Sequence, residues 1–144
     1  MDNETIKHLE FIQSIIDRLG RNSFMIKGWM ITIVAASIAL YAGSISDDSF
    51  GNTAFILVGI LPTLLFWFLD SYYLQQERKF RGIYEDVAQL SDKDKRVDVK
   101  KFEMPLDKYT KGDYSFYNSA TSRTIAPLYG LTILGLGLLW CIMS

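Results

Sequence analysis

Three stretches of the chain contain no charged side chain, and each is about as long as a membrane-spanning helix. They cover residues 28–46, 49–69 and 124–144, which are 19, 21 and 21 residues long. A helix needs roughly 20 apolar residues to cross about 30 Å of hydrocarbon. The sequence therefore predicts an all-α integral membrane protein with three transmembrane helices.

The basic residues predict the orientation of these spans. Four of the fifteen Lys and Arg residues precede the first charge-free stretch, and the other eleven lie within residues 71–123. The loop of residues 47–52 and the chain after Arg123 contain none. Because cytoplasmic loops of membrane proteins are enriched in Lys and Arg, this one-sided distribution predicts an N-in/C-out arrangement.

These features divide the chain into six predicted segments. They are a cytoplasmic amphipathic helix (1–22), transmembrane helix 1 (23–46), an external loop (47–52), transmembrane helix 2 (53–70), a cytoplasmic helix with a basic loop (71–123) and transmembrane helix 3 (124–144). Because nothing breaks the helical pattern after Asp70, the second span is predicted to continue into the cytoplasm as one helix.

The N-terminal segment carries a helical pattern of its own. Apolar side chains recur at helical spacing over residues 4–19, with Asn3 as a predicted N-cap and Gly20 as a predicted stop. This helix either packs on the cytoplasmic part of the protein or lies in the membrane interface. Packing is favoured because the polar face mixes acids and bases. A signal peptide is disfavoured, since the following apolar stretch exceeds the roughly 7–15 residues of a signal core.

Beyond the second helix the pattern becomes irregular. Apolar residues alternate imperfectly with polar ones from Val97 to Met104, which predicts a short extended segment over 97–104 that ends at Pro105. Within the second span, Pro62 predicts a kink, because proline removes a backbone donor from the helix.

Five polar residues in or beside the spans are candidates for specific roles. Antiparallel packing of the first two spans would bring Lys27 and Asp70 to a similar depth, so we predict an ion pair between them. Thr32, Ser37 and Thr63 are candidates for lining a pore between copies of the chain. The alternative for these hydroxyl residues is ordinary helix–helix packing, which small-residue stripes in the first and third spans also indicate. The stripe of the first span is Gly28, Thr32, Ala36 (or Ala35), Ala39 and Gly43, and that of the third is Ala126, Gly130, Gly137 and Cys141.

Basic and aromatic side chains interleave in the predicted cytoplasmic segment. Sites for nucleotides and single-stranded nucleic acids combine cations with aromatic stacking platforms. The candidates for contact with such a ligand are Arg78, Lys79, Arg81, Lys100, Lys101, Lys108, Lys111, Tyr109 and Tyr114. Because acids are interspersed among them, an ordinary solvated surface is the alternative.

The sequence offers no catalytic motif. It contains no P-loop, zinc motif or nucleophile elbow, so we predict no enzyme activity, catalytic residue, metal or cofactor. Cys141 is the single cysteine and His8 the single histidine, which excludes an intrachain disulfide and a histidine cluster. The charge-free spans also provide no residues for a proton relay.

The run HLEFIQSIIDRLGRNSFMIKGWMITIVAA, followed by LPTLLFWFLDSYYLQQERKFRGIYEDV, resembles small bacterial membrane proteins of nucleotide-signalling anti-phage operons. The chain resembles the broad group of SLATT-type effectors and, within it, the membrane effectors of the Hailong system. The resemblance extends from the N-terminal helix to about Val87. The third span is of the same general type as in these proteins.

This resemblance implies a homo-oligomeric ion channel in the bacterial inner membrane. It implies that a single-stranded oligodeoxyadenylate, made by a partner nucleotidyltransferase, holds the channel closed. Loss of the ligand during infection would then open the channel and stop the cell, which is antiviral defence by abortive infection. We therefore expect a channel gated by a nucleotide or a short oligodeoxyadenylate, with a non-conducting membrane scaffold or accessory subunit as the alternative.

Overall fold

The structure is a computed structural model that describes residues 2–45 and 51–143. The α-helices are α1 (Asn3–Gly43), α2 (Ala54–Val87), α3 (Phe116–Ala120) and α4 (Ala126–Met143), with short 3-10 helices at Leu106–Lys108 and Gly112–Tyr114. No strand occurs in the described residues. The predicted all-α class is therefore confirmed for this part of the chain.

Three of the helices are long and apolar enough to cross a membrane. They are α1, α2 and α4, of 41, 34 and 18 residues. At 1.5 Å per residue, α4 is about 27 Å long and α1 about 60 Å. The predicted number of spans thus agrees with the number of candidate helices. The predicted external loop, 47–52, lies mostly outside the described residues.

The predicted division of the N-terminal region into two helices is wrong. Helix α1 runs without interruption through Gly20 and Ser23, so one helix, Asn3–Gly43, covers most of both predicted segments. A glycine in a helix interior costs only about 1 kcal/mol relative to alanine. Because no proline follows Gly20, the hydrogen bonds of the flanking turns are sufficient to continue the helix.

Helix α2 is continuous, as the sequence predicted. It contains Pro62 and passes through Asp70 without a break, then ends at Val87. Gln89 adopts a left-handed conformation with φ 61°, and the Leu90 N–H donates to the Glu85 carbonyl at 2.8 Å. This arrangement is the Schellman type of helix end, in which a residue of positive φ satisfies the last carbonyls.

The extended segment predicted over 97–104 does not form. Residues 96–100 belong to neither helix nor strand, and a turn follows in which the Glu103 N–H donates to the Lys100 carbonyl at 3.0 Å. Phe102, inside this turn, has φ 60°. The turn reverses the backbone before the alternation of apolar residues could build a strand.

The chain forms two compact units. The polar unit comprises Met1–Ser23 and Tyr72–Ser119, and the apolar unit comprises Phe24–Ser71 and Ala120–Ser144. We name them by composition, since the polar unit carries most of the charged residues and the apolar unit carries the three charge-free stretches.

Each unit has its own hydrophobic core. In the polar unit, Ile12 and Ile16 of α1 pack with Ile83 of α2 and with Tyr109. The N-terminal turns of α1 are therefore packed within the polar unit, the alternative that the sequence favoured. In the apolar unit, one buried cluster contains Tyr41, Ile56 and Leu136, one residue from each long apolar helix.

Candidate functional site

A cavity of about 500 Å³ lies within the polar unit. Its wall is formed by the start of α1, the end of α2 and the segment from Lys93 to Lys101. The polar and charged side chains that line it include His8, Asp86, Lys93, Arg96, Asp98 and Lys101. Its volume falls within the roughly 300–1,000 Å³ that is typical of small-molecule sites.

His8 is buried in the wall of this cavity with one ring nitrogen unpartnered. Its side chain is 1% exposed, and its Nδ1 accepts a hydrogen bond from the Phe102 N–H at 3.3 Å. A ring nitrogen that accepts carries no proton, so the proton of the neutral imidazole resides on Nε2. Nε2 is buried and finds no acceptor among the described residues. His8 is therefore a buried side chain with one donor that no described acceptor satisfies.

Arg96 offers a second unused donor. Its Nη2 donates to the carbonyls of Gln89 and Ser91 at 3.0 and 2.8 Å, and these bonds fix the guanidinium. Its Nε is buried and has no hydrogen-bond partner within residues 2–45 and 51–143. A buried donor without an acceptor costs about 1–3 kcal/mol, so each of these two groups lowers the stability of the polar unit.

Asp86 closes one side of the cavity with its hydrogen bonds already made. Its Oδ2 accepts from the Tyr109 hydroxyl at 2.5 Å and from the Val97 N–H at 3.2 Å, and its Oδ1 accepts from the Ser91 hydroxyl. Burial, followed by the hydrogen bond to Asp86, raises the pKa of Tyr109. Tyr109 is only 3% exposed, so it is a core residue of the polar unit in this structure.

Lys101 joins the cavity to the start of α1. Its Nζ lies 2.6 Å from Asp2 Oδ2 and 2.6 Å from Glu4 Oε2. The hydrogen bonds to Asp2 and Glu4 raise the pKa of Lys101, and the hydrogen bonds from Lys101 and Thr5 lower the pKa of Asp2. Both Lys93 and Lys101 are exposed, so cationic groups of this cavity are accessible from solvent.

Of the nine predicted ligand residues, Lys101 alone lines this cavity. Arg78 instead donates to the carbonyls of Asp113 and Asn118 at 3.1 and 3.2 Å, which holds the second 3-10 helix and α3 against α2. Arg81 pairs with Glu77 at 2.8 Å. These two arginines are engaged in contacts within the polar unit.

The remaining predicted ligand residues lie elsewhere in the polar unit. Tyr114 packs edge-on against Tyr109 with ring centroids 5.3 Å apart. Lys108 Nζ lies 3.5 Å from the Asp98 carbonyl oxygen. Lys100 and Lys111 are exposed and Lys79 is half-buried. Their role in ligand binding stays a prediction.

Sequence reasoning did not identify the donors His8, Lys93 and Arg96. Lys93 and Arg96 belong to the run SDKDKR, whose composition indicates a solvated turn. His8 did carry a signal, because it precedes Ile12 and Ile16 by four and eight residues on one helical stripe. A histidine on a buried stripe needs hydrogen-bond partners, and this requirement points to a site.

The apolar unit contains the predicted ion pair, extended by a third residue. Lys27 Nζ lies 2.6 Å from Asp70 Oδ2, and the Asp70 side chain is fully buried. The Tyr129 hydroxyl donates to the same carboxylate oxygen at 3.1 Å. Trp67 stacks on Tyr129 with ring centroids 6.3 Å apart. The network thus connects α1, α2 and α4.

The three candidate pore residues differ in exposure. Thr32 is exposed, and its hydroxyl donates to the Gly28 carbonyl at 2.9 Å. Ser37 and Thr63 are buried, and their hydroxyls donate to carbonyls of their own helices at 2.8 and 2.7 Å. Thr32 is therefore the one with a surface available to other copies, and pore lining stays a prediction for all three.

Neither a metal centre nor a similar protein identifies the function. The described residues contain no group of three or more His, Cys, Asp or Glu side chains that could hold a metal ion. No protein-family model, no curated protein and no solved structure matches the chain. Function must therefore be inferred from the residues and their geometry.

Proposed function

We propose that this protein is an oligomeric ion channel of the bacterial inner membrane, controlled by a ligand that binds its polar unit. The observation that carries the proposal is a ligand-sized cavity lined by Lys93, Arg96 and Lys101 in a chain that has three membrane-length helices. The one-sided distribution of Lys and Arg supports a cytoplasmic polar unit and an N-in/C-out orientation.

The surface of the three long helices supports an oligomer. Most of the apolar surface of these helices is not covered within one chain. Of the most apolar 18 residues of each helix, 22% are buried in α1, 28% in α2 and 11% in α4. Three helices cannot enclose an aqueous path alone, so a pore requires several copies. Gly28 and Gly43 have no neighbouring atom within 4 Å of an added Cβ, and Thr32 is exposed on the same stripe. Open small-residue stripes allow close helix–helix approach in lipid.

The connectivity of α1 and α2 supports control by a ligand. The cavity is lined by His8 of α1 and Asp86 of α2, and the same two helices continue into the apolar unit. A ligand that orders the cavity therefore acts on helices that also form two of the proposed spans. Its candidates are a nucleotide or a short single-stranded oligodeoxyadenylate from a partner nucleotidyltransferase, in antiviral defence by abortive infection.

Ion flux through liposomes that contain the pure full chain tests the proposal. We expect a conductance that changes when an oligodeoxyadenylate or a nucleotide is added on the side of the polar unit. Gly28→Leu should reduce both oligomer formation and flux, because a large side chain blocks the open stripe. Gly135→Leu is the matched control, since Gly135 is equally open but outside the predicted stripes. Absence of flux with and without ligands would exclude the channel.

A non-conducting membrane scaffold or accessory subunit is the second candidate function. It is favoured by the absence of Asp, Glu, Lys, Arg and His from the three apolar stretches, which leaves no charged side chain to bind an ion there. A stable oligomer, demonstrated by native mass spectrometry, that conducts no ions under any of these conditions would support the scaffold.

The proposed orientation has its own test. In a Cys141→Ser background, Lys95→Cys should react with a membrane-impermeant maleimide only after the inner membrane is permeabilised. Ile45→Cys should react in intact spheroplasts, because the loop after α1 is proposed to face outward. The reverse labelling pattern would contradict the N-in/C-out arrangement.

A further inference from the structure

We propose that α1 of one copy docks into a groove of the next copy, so that the polar units of the oligomer form a closed ring. The two surfaces are a basic stripe on α1, which consists of Lys7, Phe11, Arg18 and Arg21, and an acidic groove beside α1. The inference rests on the proposed function, because it requires an oligomer. It requires no conductance, so the interface and the channel can fail separately.

The acidic groove lies in the polar unit, between the first turns of α1 and the end of α2. It has a volume of about 720 Å³, and the apolar side chains in its wall are Ile6, Leu9, Tyr84, Ala88 and Leu90. Leu90 is 71% exposed, so apolar surface in this groove remains uncovered. A groove between two helices accepts the apolar face of a third helix.

The charged side chains that line the groove are both acidic. Glu10 and Asp17 belong to its wall, and no Lys or Arg does. Asp17 accepts a hydrogen bond from Gln13 Nε2 at 2.9 Å. Neither carboxylate takes part in an ion pair within residues 2–45 and 51–143. The occupant with complementary chemistry therefore combines cations with an apolar side chain.

The basic stripe of α1 has this complementary composition. Lys7, Arg18 and Arg21 are exposed, and none of them is in an ion pair in the described part of the chain. Phe11 lies between the cations along the helix and is 51% exposed. Docking in the groove would bury this ring against apolar side chains and place cations beside the two carboxylates.

The positions of the charges on α1 allow each copy to use both surfaces at once. At about 100° per residue, Lys7 and Arg18 lie roughly 80° around the helix from the two carboxylates. The stripe and the groove therefore face different neighbours, which is the arrangement of a heterologous ring.

Copies in one membrane share one orientation, so their α1 helices pack in parallel and at equal height. Along such helices Lys7 is about 4.5 Å from the level of Glu10, at 1.5 Å per residue. Arg18 is about 1.5 Å from the level of Asp17. Both offsets are within the reach of long cationic side chains, so two ion pairs can form at each interface.

A second copy is the occupant because the basic stripe continues along α1 into the stripe proposed to pack between copies. From Arg21, steps of four and three residues lead through Met25 to Gly28 and Thr32, and all four residues are exposed. Alternating steps of four and three residues are the pattern of helices that pack side by side as a coiled coil. The two interfaces therefore follow one line on the helix.

Charge reversal in the full chain tests the pairing, with assembly measured by native mass spectrometry in detergent. Lys7→Glu with Arg18→Glu should raise the concentration needed for assembly about tenfold, as should Glu10→Lys with Asp17→Lys. The variant with all four changes keeps the net charge of the wild type and should assemble within about threefold of it. In that variant each reversed stripe meets a reversed groove. Recovery no better than either pair of changes would overturn the proposal.

Lys100→Glu with Lys111→Glu is the matched control for the stripe. Both lysines are exposed in the polar unit outside the two surfaces, and the change of charge is the same. This variant should assemble like the wild type, and an equal loss would mean that net charge alone governs assembly. A loss in the stripe variant only, and only when anionic lipid is added, would assign the stripe to lipid head groups and also overturn the proposal.

Crosslinking tests the same register in chains of nearly native charge. Ile6 and Leu90 line the groove together, and Lys7 follows Ile6, so Lys7 of one copy should lie level with Leu90 of the next. In a Cys141→Ser background, a short bis-maleimide should link Lys7→Cys chains to Leu90→Cys chains in mixed oligomers. Either variant alone should give no linked dimer. Dimers from one variant alone, or none from mixed oligomers, would overturn the proposal whatever the result of the flux measurement.

Discussion

Asp86 shows how one side chain organises the wall of the cavity. It is 8% exposed and accepts hydrogen bonds from Ser91, Val97 and Tyr109, which follow it by 5, 11 and 23 residues. Because a buried carboxylate is costly without donors, each of these bonds stabilises the packing of the loop against α2. The Tyr109 hydroxyl is the donor most deeply placed in the core.

We predict that Tyr109→Phe destabilises the protein by about 1–3 kcal/mol, because Asp86 loses a buried donor. Tyr114→Phe is the matched control, since the Tyr114 hydroxyl makes no hydrogen bond in the described part of the chain. Both variants keep the aromatic contact between the two rings. Thermal unfolding in detergent measures the difference, and equal effects of the two variants would contradict the role of the hydroxyl.

The raised pKa of Tyr109 also predicts a pH dependence. The folded pKa lies above the unfolded value of 10.0, so the stability that this hydroxyl contributes is complete below pH 10. It is lost as the pH rises through the raised pKa of the folded state. Wild type should therefore lose more stability above pH 10 than Tyr109→Phe does. A parallel decline of both proteins would exclude Tyr109 as the group responsible.

The ion pair in the apolar unit allows a double-mutant cycle. We expect Lys27→Met and Asp70→Asn each to cost about 3–5 kcal/mol, because each leaves one partner of a buried pair without its counter-charge. The double variant should cost less than the sum, since no uncompensated charge remains. Denaturation in mixed micelles measures the three values. Strict additivity would show that the 2.6 Å pair carries no coupling energy.

Tyr129, which donates a hydrogen bond to Asp70 of this ion pair, could not be predicted from the sequence. Lys27 and Asp70 could be paired because each flanks a charge-free stretch, which fixes their depth along the helices. Tyr129 lies inside an apolar helix of almost uniform hydrophobicity, so no pattern indicates which face turns toward α2. Its contact with Asp70 depends on the rotation of α4, which only the packing determines.

Within the polar unit, α1 has an interior glycine at Gly20 and α2 has one at Gly82. The two glycines differ in their surroundings. A Cβ at Gly20 would lie 3.8 Å from Glu77 Oε2, an ordinary contact. A Cβ at Gly82 would lie 2.6 Å from Tyr114 Oη and 2.9 Å from the Tyr109 ring. Gly82 is therefore the position at which the two tyrosines pack onto the backbone of α2.

We predict that the same substitution has opposite effects in the two helices. Gly20→Ala should stabilise the protein by up to about 1 kcal/mol, because alanine is the better helix former. Gly82→Ala should destabilise it by about 1–3 kcal/mol, because the added methyl group displaces the tyrosine rings. Chemical denaturation monitored by circular dichroism measures both. Stabilisation by Gly82→Ala would contradict the close packing.

The errors in predicting elements have a common physical origin. The continuity of α2 was predictable because residues 70–90 contain no strong helix breaker. The break expected at Gly20 and the extended segment expected over 97–104 were wrong, since both relied on weak local signals. One glycine does not stop a helix, and an imperfect alternation does not reveal a turn at Lys100–Glu103.

At the scale of the whole molecule, the number of candidate spans was predictable and the cavity was not. Length and the absence of charge are local properties, so three stretches sufficed to identify three membrane-length helices. The cavity combines His8, Asp86 and the segment 93–101, which are distant in sequence. Only their packing brings them together, and a solvated turn and a cavity wall can have the same composition.

The polar unit is built from two segments of chain, and this has a consequence for biosynthesis. Its first segment, Met1–Ser23, is synthesised before the apolar helices, whereas its second, Tyr72–Ser119, follows them. Ile12 and Ile16 therefore cannot pack against Ile83 and Tyr109 until most of the chain has left the ribosome.

We expect trypsin to cleave at Arg18 and Arg21 in nascent chains stalled at residue 90, and to cleave the released full chain there much more slowly. Equal protection of these sites from trypsin in both samples would mean that the first segment is already packed against another surface during synthesis. The timing has a further effect, because His8 meets Lys93 and Arg96 only in a nearly complete chain. A product terminated before Lys93 would contain the first two apolar helices but not the segment that completes the wall of the cavity.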